Sequence, residues 1–173
     1  MTKRSMEYGG RAALAAVLMV LALPATAETL IGQFGDWDAF EDGEGAAKVC
    51  YMASLPKSEK GDYTSRGQTY FTIVHRPGSQ MTGVVRVTAG YEYKAGSETT
   101  VKIDDKTFQL YTHPDTPDSA WAPKDASVRK AMIAGRSMVV KGTSGRGTVT
   151  TDSYSLSGVT AAYKAIGKAC GVK

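Results

Sequence analysis

Apolar and polar residues alternate in short runs along most of this chain, and a helical period replaces the alternation in two later segments. Residues 30–37 (LIGQFGDW), 49–52 (VCYM), 69–75 (TYFTIVH) and 83–89 (GVVRVTA) have the β-branched and aromatic content of strands, separated by Gly, Pro or charged residues. Residues 100–103 and 107–111 flank the polar turn Asp104-Asp105-Lys106 and read as a hairpin, Val101 and Ile103 sharing one face, as do Phe108 and Leu110. A second hairpin is predicted from residues 138–140 and 149–156, which bracket the Gly-rich GTSGRG at 142–147. Tyr91 and Tyr93, two apart, share a face in an extended chain. Turn signals about every 8 to 15 residues predict a mainly β protein, an antiparallel sandwich rather than alternating strands and helices.

The helical period appears first over residues 125–134, with Asp125 as cap, Val128, Met132 and Ile133 as the apolar stripe and Gly135 as the stop. It returns at the C-terminal end, where Ser157 is placed to cap and Val159, Ala162, Tyr163, Ile166 and Cys170 form one stripe. Lys164 and Lys168 face outward near that helix's end, where its dipole favours cations. Three polar stretches read as surface: the acid-rich residues 38–48 as a solvated turn, residues 56–68 as a mobile loop with too little apolar content to order itself, and the Pro- and Asp-rich residues 114–123 as a loop tucking Trp121 beneath itself. Trp37 reads as a core anchor.

Charge and cysteines change the picture at the N-terminus. Lys3, Arg4 and Arg11, an apolar run over residues 12–23 and the small Ala25-Thr26-Ala27 make residues 1–27 a secretory signal peptide, leaving one domain over residues 28–173. The apolar run ends at Pro24, short of the roughly 20 residues a bilayer span needs, so no transmembrane span is expected once the leader is removed. Of the formal charge of +4, much sits in the leader. The nearly balanced remainder shows no nucleic-acid footprint. Two cysteines in an exported chain are expected to pair, giving a Cys50–Cys170 disulfide bond that staples the end of the chain to its beginning.

Candidate chemistry is sparse, and no catalytic, metal or cofactor site is expected. The acids from Asp36 miss the calcium-loop spacing, since Phe40, Glu41 and Ala47 stand where ligand, glycine and closing glutamate are needed. GTSGRG lacks the Lys-Ser/Thr that follows a phosphate-binding loop, and a strand follows it where that loop needs a helix. Arg136, Lys141 and Arg146 put positive charge around this hairpin and are the candidate partner-binding residues. His75 and His113 stand at strand ends. His113 with Asp115 or Asp118 is the one arrangement that suggests a hydrolytic base.

FGDW at 34–37, KVCY at 48–51, RPG at 76–78, GYEYKAGS at 90–97, AW at 120–121, AMIAGRSMVVKGTSGRGTVTTDSYSLSG at 131–158 and the late Cys170 together resemble the invasion-associated locus B family of exported α-proteobacterial proteins. The resemblance implies an Ig-like β-sandwich with a C-terminal helix, a secreted or envelope location and, in one branch, a part in host-cell entry. Some relatives carry a further cysteine shortly after the FGDW tryptophan; Asp38-Ala39-Phe40 has none, so a second disulfide is not carried over. The resulting expectation is a periplasmic or outer-surface, non-enzymatic interaction protein whose partner is an unknown envelope or host protein. The alternatives are a hydrolase built on His113 and a small-ligand carrier built on Tyr91, Tyr93 and Trp121, the latter needing a pocket of about 300 Å³ or more.

Overall fold

The structure is a computed structural model that describes residues 28–172, so the signal peptide assigned to residues 1–27 lies outside the described residues. Eleven strands follow one another as β1 (Thr29–Phe34), β2 (Trp37–Asp42), β3 (Val49–Ser54), β4 (Ser58–Gly61), β5 (Tyr70–Arg76), β6 (Met81–Thr88), β7 (Glu98–Ile103), β8 (Lys106–His113), β9 (Thr116–Trp121), β10 (Ser137–Thr143) and β11 (Val149–Ser155), with helix α1 (Asp125–Ala134) before β10 and α2 (Val159–Cys170) last. All pair antiparallel in the order β1-β2-β3-β5-β6-β9-β8-β7-β10-β11-β4.

The two layers of the sandwich are halves of this one hydrogen-bonded sheet. Phe71 of β5 meets Tyr154 of β11 edge to face with ring centres 6.0 Å apart, although five strands lie between β5 and β11 along the sheet order. Trp37, fully buried as expected, donates its indole N–H to the Ser155 carbonyl at 3.0 Å and so ties β2 to β11. Alternation decides what lies between the layers: Cys50 and Met52, Phe71 and Ile73, Val85 and Val87, Val101 and Ile103, and Met138 and Val140 all point into one continuous core.

Helix α2 packs on β1, β2, β3 and β5 through Val159, Ala162 and Ile166, with Tyr163 and Cys170 half-buried at the margin of the expected stripe. Cys50 and Cys170 are joined, their Cα atoms 5.9 Å apart and 120 residues apart in sequence. The helix begins not with a Ser157 side-chain cap but at Gly158, whose φ of +93° and contact with β1 leave no room for a side chain: a Cβ there would lie 1.7 Å from the Phe34 carbonyl oxygen. In α1, Asp125 is the first helical residue and its carboxylate accepts the Val85 N–H at 2.7 Å, docking the helix on β6 instead of capping it. Ile133 is exposed, so the buried stripe is Val128, Ala131 and Met132.

Each of the three stretches expected to be surface loop or turn contains a strand. Within residues 38–48, Asp38 and Asp42 occupy outward positions of β2 while Trp37 and Ala39 face the core; Glu41, on the inward side at the strand's end opposite Cys50, pairs with Lys48 at 3.0 Å. Within residues 56–68, β4 pairs with β11 from Ser58↔Ser153 to Gly61↔Thr150, and Arg66 beyond it is buried. Within residues 114–123, β9 fits between β6 and β8; Pro117, which has no N–H, escapes the ladder because pairing with β6 starts at Ser119. The GTSGRG hairpin forms as expected. Gly142 is needed beneath Tyr91 and Tyr93, since a Cβ would lie 2.7 Å from the Tyr91 hydroxyl oxygen and 2.7 Å from the Tyr93 ring.

His75 stands next to the end of β5, as expected, and lies fully buried opposite Cys50. Its Nδ1 accepts the Gly83 N–H at 3.0 Å, which places the ring proton on Nε2, and Nε2 is buried with no partner among the described residues. Burial first, and then the nearby Arg129 charge, hold its pKa below the ordinary imidazole value. The unfolded chain takes up this proton near pH 6.5 while the native ring resists it, so the stability contributed by neutral His75 is complete above about pH 6.5 and is lost as pH falls below that. The urea midpoint is therefore expected to fall between pH 7 and 5, and His75→Gln to flatten that dependence by up to about 1.4 kcal/mol per pH unit. Parallel curves for the two proteins would show that another group carries the dependence.

Candidate functional site

The register that places Cys50, Met52, Phe71 and Ile73 inward sends their neighbours to the opposite, solvent-facing side of β2, β3, β5 and β6. One cross-strand row there runs Asp38↔Ala53↔Thr72↔Arg86 and continues to Trp121 of β9; the next runs Phe40↔Tyr51↔Val74↔Val84. Small and apolar side chains occupy the middle of both rows. The surface is concave: a cleft of about 880 Å³ lies over it, floored by Phe40, Val49, Tyr51, Ala53 and Val74 and walled on one side by the 55–57 segment. That volume is within the range of ligand clefts, which run from about 300 to 1,000 Å³.

The rings and charges of the cleft hold one another in place. Phe40 and Tyr51 stack with centres 5.0 Å apart and 20° between their planes. The Tyr51 hydroxyl donates to the Glu28 carboxylate, and burial together with that partner raises its pKa, so the phenol stays neutral. Lys57 pairs with Asp36 at the rim and, with Ser155, holds the Asp36 carboxyl below its ordinary pKa. Arg86 lies between two aromatic faces, its guanidinium carbon 5.9 Å from the Tyr70 ring centre and 5.4 Å from that of Trp121. Its Nε is buried with no hydrogen-bond partner among the described residues. Acids sit on β2 (Asp38 and Asp42) and cations on β5 and β6 (Arg76 and Arg86), so the cleft is polarised across the strands.

The cation cluster expected at the hairpin is dispersed. Arg136, Lys141 and Arg146 are all exposed, but Arg136 precedes β10, where its backbone N–H reaches the Asp104 carboxylate at 3.2 Å, while Arg146 lies in the turn beyond the strand's other end. A seven-residue strand separates them, roughly 20 Å at the rise of an extended chain. His113 and Asp115 share an exposed turn in which Nδ1 accepts the Asp115 N–H at 3.2 Å, whereas Asp118 accepts a hydrogen bond from the Ser119 hydroxyl at 2.9 Å. Tyr91 and Tyr93 pack together in contact with the core, with the Tyr91 hydroxyl bonded to Thr150 at 2.6 Å, while Trp121 stands beside Arg86 on the outer face. These three aromatics do not line one pocket.

Sequence reasoning missed Asp38, Phe40, Tyr51, Tyr70 and Arg86. The signal available for them was the outward half of each alternating run, which carries a ring or a charge where a plain solvated face would carry small polar residues.

A family model described as Invasion associated locus B (IalB) protein matches residues 37–167, which includes β2, β3, β5 and β6. No curated protein matches the chain. The crystal structure of invasion associated protein B from Bartonella henselae is similar with a TM-score of 0.54 and 16% sequence identity, covering 78% of this chain and 94% of that one. At that identity the likeness bears on the fold.

Proposed function

Because the chain belongs to the invasion-associated locus B family, we propose that it is an exported, non-enzymatic interaction protein of the cell envelope that binds its partner through the solvent-facing side of β2, β3, β5 and β6. The observation that carries this reading is the cleft itself: about 880 Å³, open to solvent, with an apolar floor and opposite charges along its two sides. Its floor is built on inner strands of the sheet, so the side chains there are presented in a fixed arrangement. Export is supported by the leader pattern of residues 1–27 and by the disulfide, which persists in oxidising compartments. The working site is the periplasm or outer surface, the partner an envelope or host protein, and host-cell association the setting in which such binding acts. Among the described residues no helix is long and apolar enough to cross a membrane.

A photo-crosslinking phenylalanine analogue at position 40 tests the reading in intact cells, with the same analogue at position 146 to probe the hairpin tip. A discrete adduct is expected from position 40 and none from position 146. Adducts from position 146 alone would move the binding surface to the hairpin and its cations Arg136, Lys141 and Arg146.

A further inference from the structure

Resting on that reading of the cleft, we infer that its ligand is an extended peptide segment of about four to five residues that lies across the strands, a carboxylate at one end on Arg86 and a cationic side chain at the other on Asp38. The row Asp38↔Ala53↔Thr72↔Arg86 sets the length. It crosses from β2 to β6 in three strand spacings, about 14 Å, which an extended peptide covers in four to five residues. Ala53 and Thr72 keep the path between the two charges low, and Phe40, Tyr51 and Val74 lie alongside it as an apolar strip for the intervening side chains.

The charges at the two ends are unspent. Among the described residues no carboxylate pairs with Arg86 and no cation pairs with Asp38, while other ionic groups of the same cleft are engaged, Lys57 with Asp36 and Glu28 with Tyr51. The Arg86 guanidinium is held between Tyr70 and Trp121 with its Nε sealed from solvent and unpartnered, the setting in which a planar cation is pre-oriented for a carboxylate. Arg76 and Asp42 repeat the same polarity, cation on β5 and acid on β2, so the face as a whole orders a ligand's ends. A glycan fits less well. The ring faces a sugar would stack on are in use, Phe40 against Tyr51 and Arg86 against both Tyr70 and Trp121.

The test uses the purified, oxidised protein and the pentapeptide acetyl-Lys-Ala-Leu-Val-Ala with a free C-terminal carboxylate, its C-terminal amide, and the version with norleucine in place of lysine, each titrated by calorimetry and by amide chemical shifts. The free acid is expected to bind with shifts on β2, β3, β5 and β6, at least tenfold tighter than the amide and several-fold tighter than the norleucine peptide. Arg86→Gln is expected to erase the preference for the acid while keeping the preference for lysine, and Asp38→Asn to do the reverse. Equal binding of acid and amide, preferences unchanged in the two variants, or tighter binding of trigalacturonate than of any peptide would each overturn the inference. If position 40 still yields its cellular adduct while acid and amide peptides bind alike, the peptide inference fails and the cleft stands as the binding surface. Loss of the adduct as well removes both.

Discussion

Asp152→Ala is expected to destabilise the protein by about 3 to 5 kcal/mol, because it would leave the buried Arg66 guanidinium with only the part-exposed Glu59 carboxylate, 3.6 Å from Nη1, in place of its two-pronged partner. Arg66 and Asp152 are each only 3% exposed and meet in a two-pronged ion pair, Nη1 to Oδ1 at 2.6 Å and Nη2 to Oδ2 at 2.8 Å. The Arg66 Nε–H is used as well, donating to the Ala89 carbonyl at 2.6 Å, and the Tyr91 ring covers the guanidinium with its centre 5.0 Å away. One side chain thus joins the segment between β4 and β5 to β11 and to the end of β6. A loss of that size lowers the melting temperature by on the order of 10 °C for a protein of this length. The pair itself contributes far less than its rupture costs, since both ions were taken out of water to form it. The double variant Arg66→Met with Asp152→Leu is therefore expected to recover most of the loss. Urea unfolding of the wild type, both single variants and the double variant checks this, and an Asp152→Ala midpoint within the equivalent of 1 kcal/mol of wild type would refute it.

That ion pair also explains where sequence reading stopped. The strands with alternating apolar residues, the two hairpins, the C-terminal helix and the Cys50–Cys170 pairing were legible because each is written in local pattern or in composition. SEKG at 58–61 carries no apolar residue at all. It is a strand because β11 offers its backbone to it and because Arg66, a few residues on, is anchored inside. Both causes are about 90 residues away in sequence. The acids around Trp37 misled in the opposite direction. Five carboxylates in nine residues read as a solvated turn, yet Asp38 and Asp42 are compatible with β2 because they point outward at alternate positions while Trp37 and Ala39 face the core.

The candidate cleft was legible only in part for a related reason. That Tyr51, Tyr70 and Arg86 lie on the outward side follows from the period of their own strands. That Asp38 and Arg86 end one row, with Ala53 and Thr72 between, depends on the register of four strands, which no single strand specifies. The cations of the β10–β11 hairpin show the converse: close in sequence, they are spread along a strand and past both its ends, and proximity along the chain did not become proximity in space.

Removing the Cys50–Cys170 bond is expected to lower stability by up to about 5 kcal/mol, the chain-entropy value for a loop of 120 residues. The native state keeps other holds on α2, since Val159, Ala162 and Ile166 remain buried against β1, β2, β3 and β5. Reduced protein should therefore stay folded, with its loss arising from the unfolded chain, which gains conformations when the tie between its two ends is released. This has a signature that lost packing lacks. The urea midpoint should fall while the slope of the transition rises, because the untied unfolded chain exposes more surface. Ile166→Ala, by contrast, should cost about 2 to 5 kcal/mol in both the oxidised and the reduced protein with little change in slope. Overlapping urea curves with and without reductant would show that the bond contributes nothing beyond the packing beneath it. A lower midpoint with an unchanged slope would place the loss in the native state, where Cys50 lies fully buried beside His75 and separation of the two sulfurs would loosen the C-terminal end of α2. The entropic outcome ties stability to compartment: in a reducing cytoplasm the chain would fold with a smaller margin, and it would reach full stability only where the terminal helix is bonded to β3.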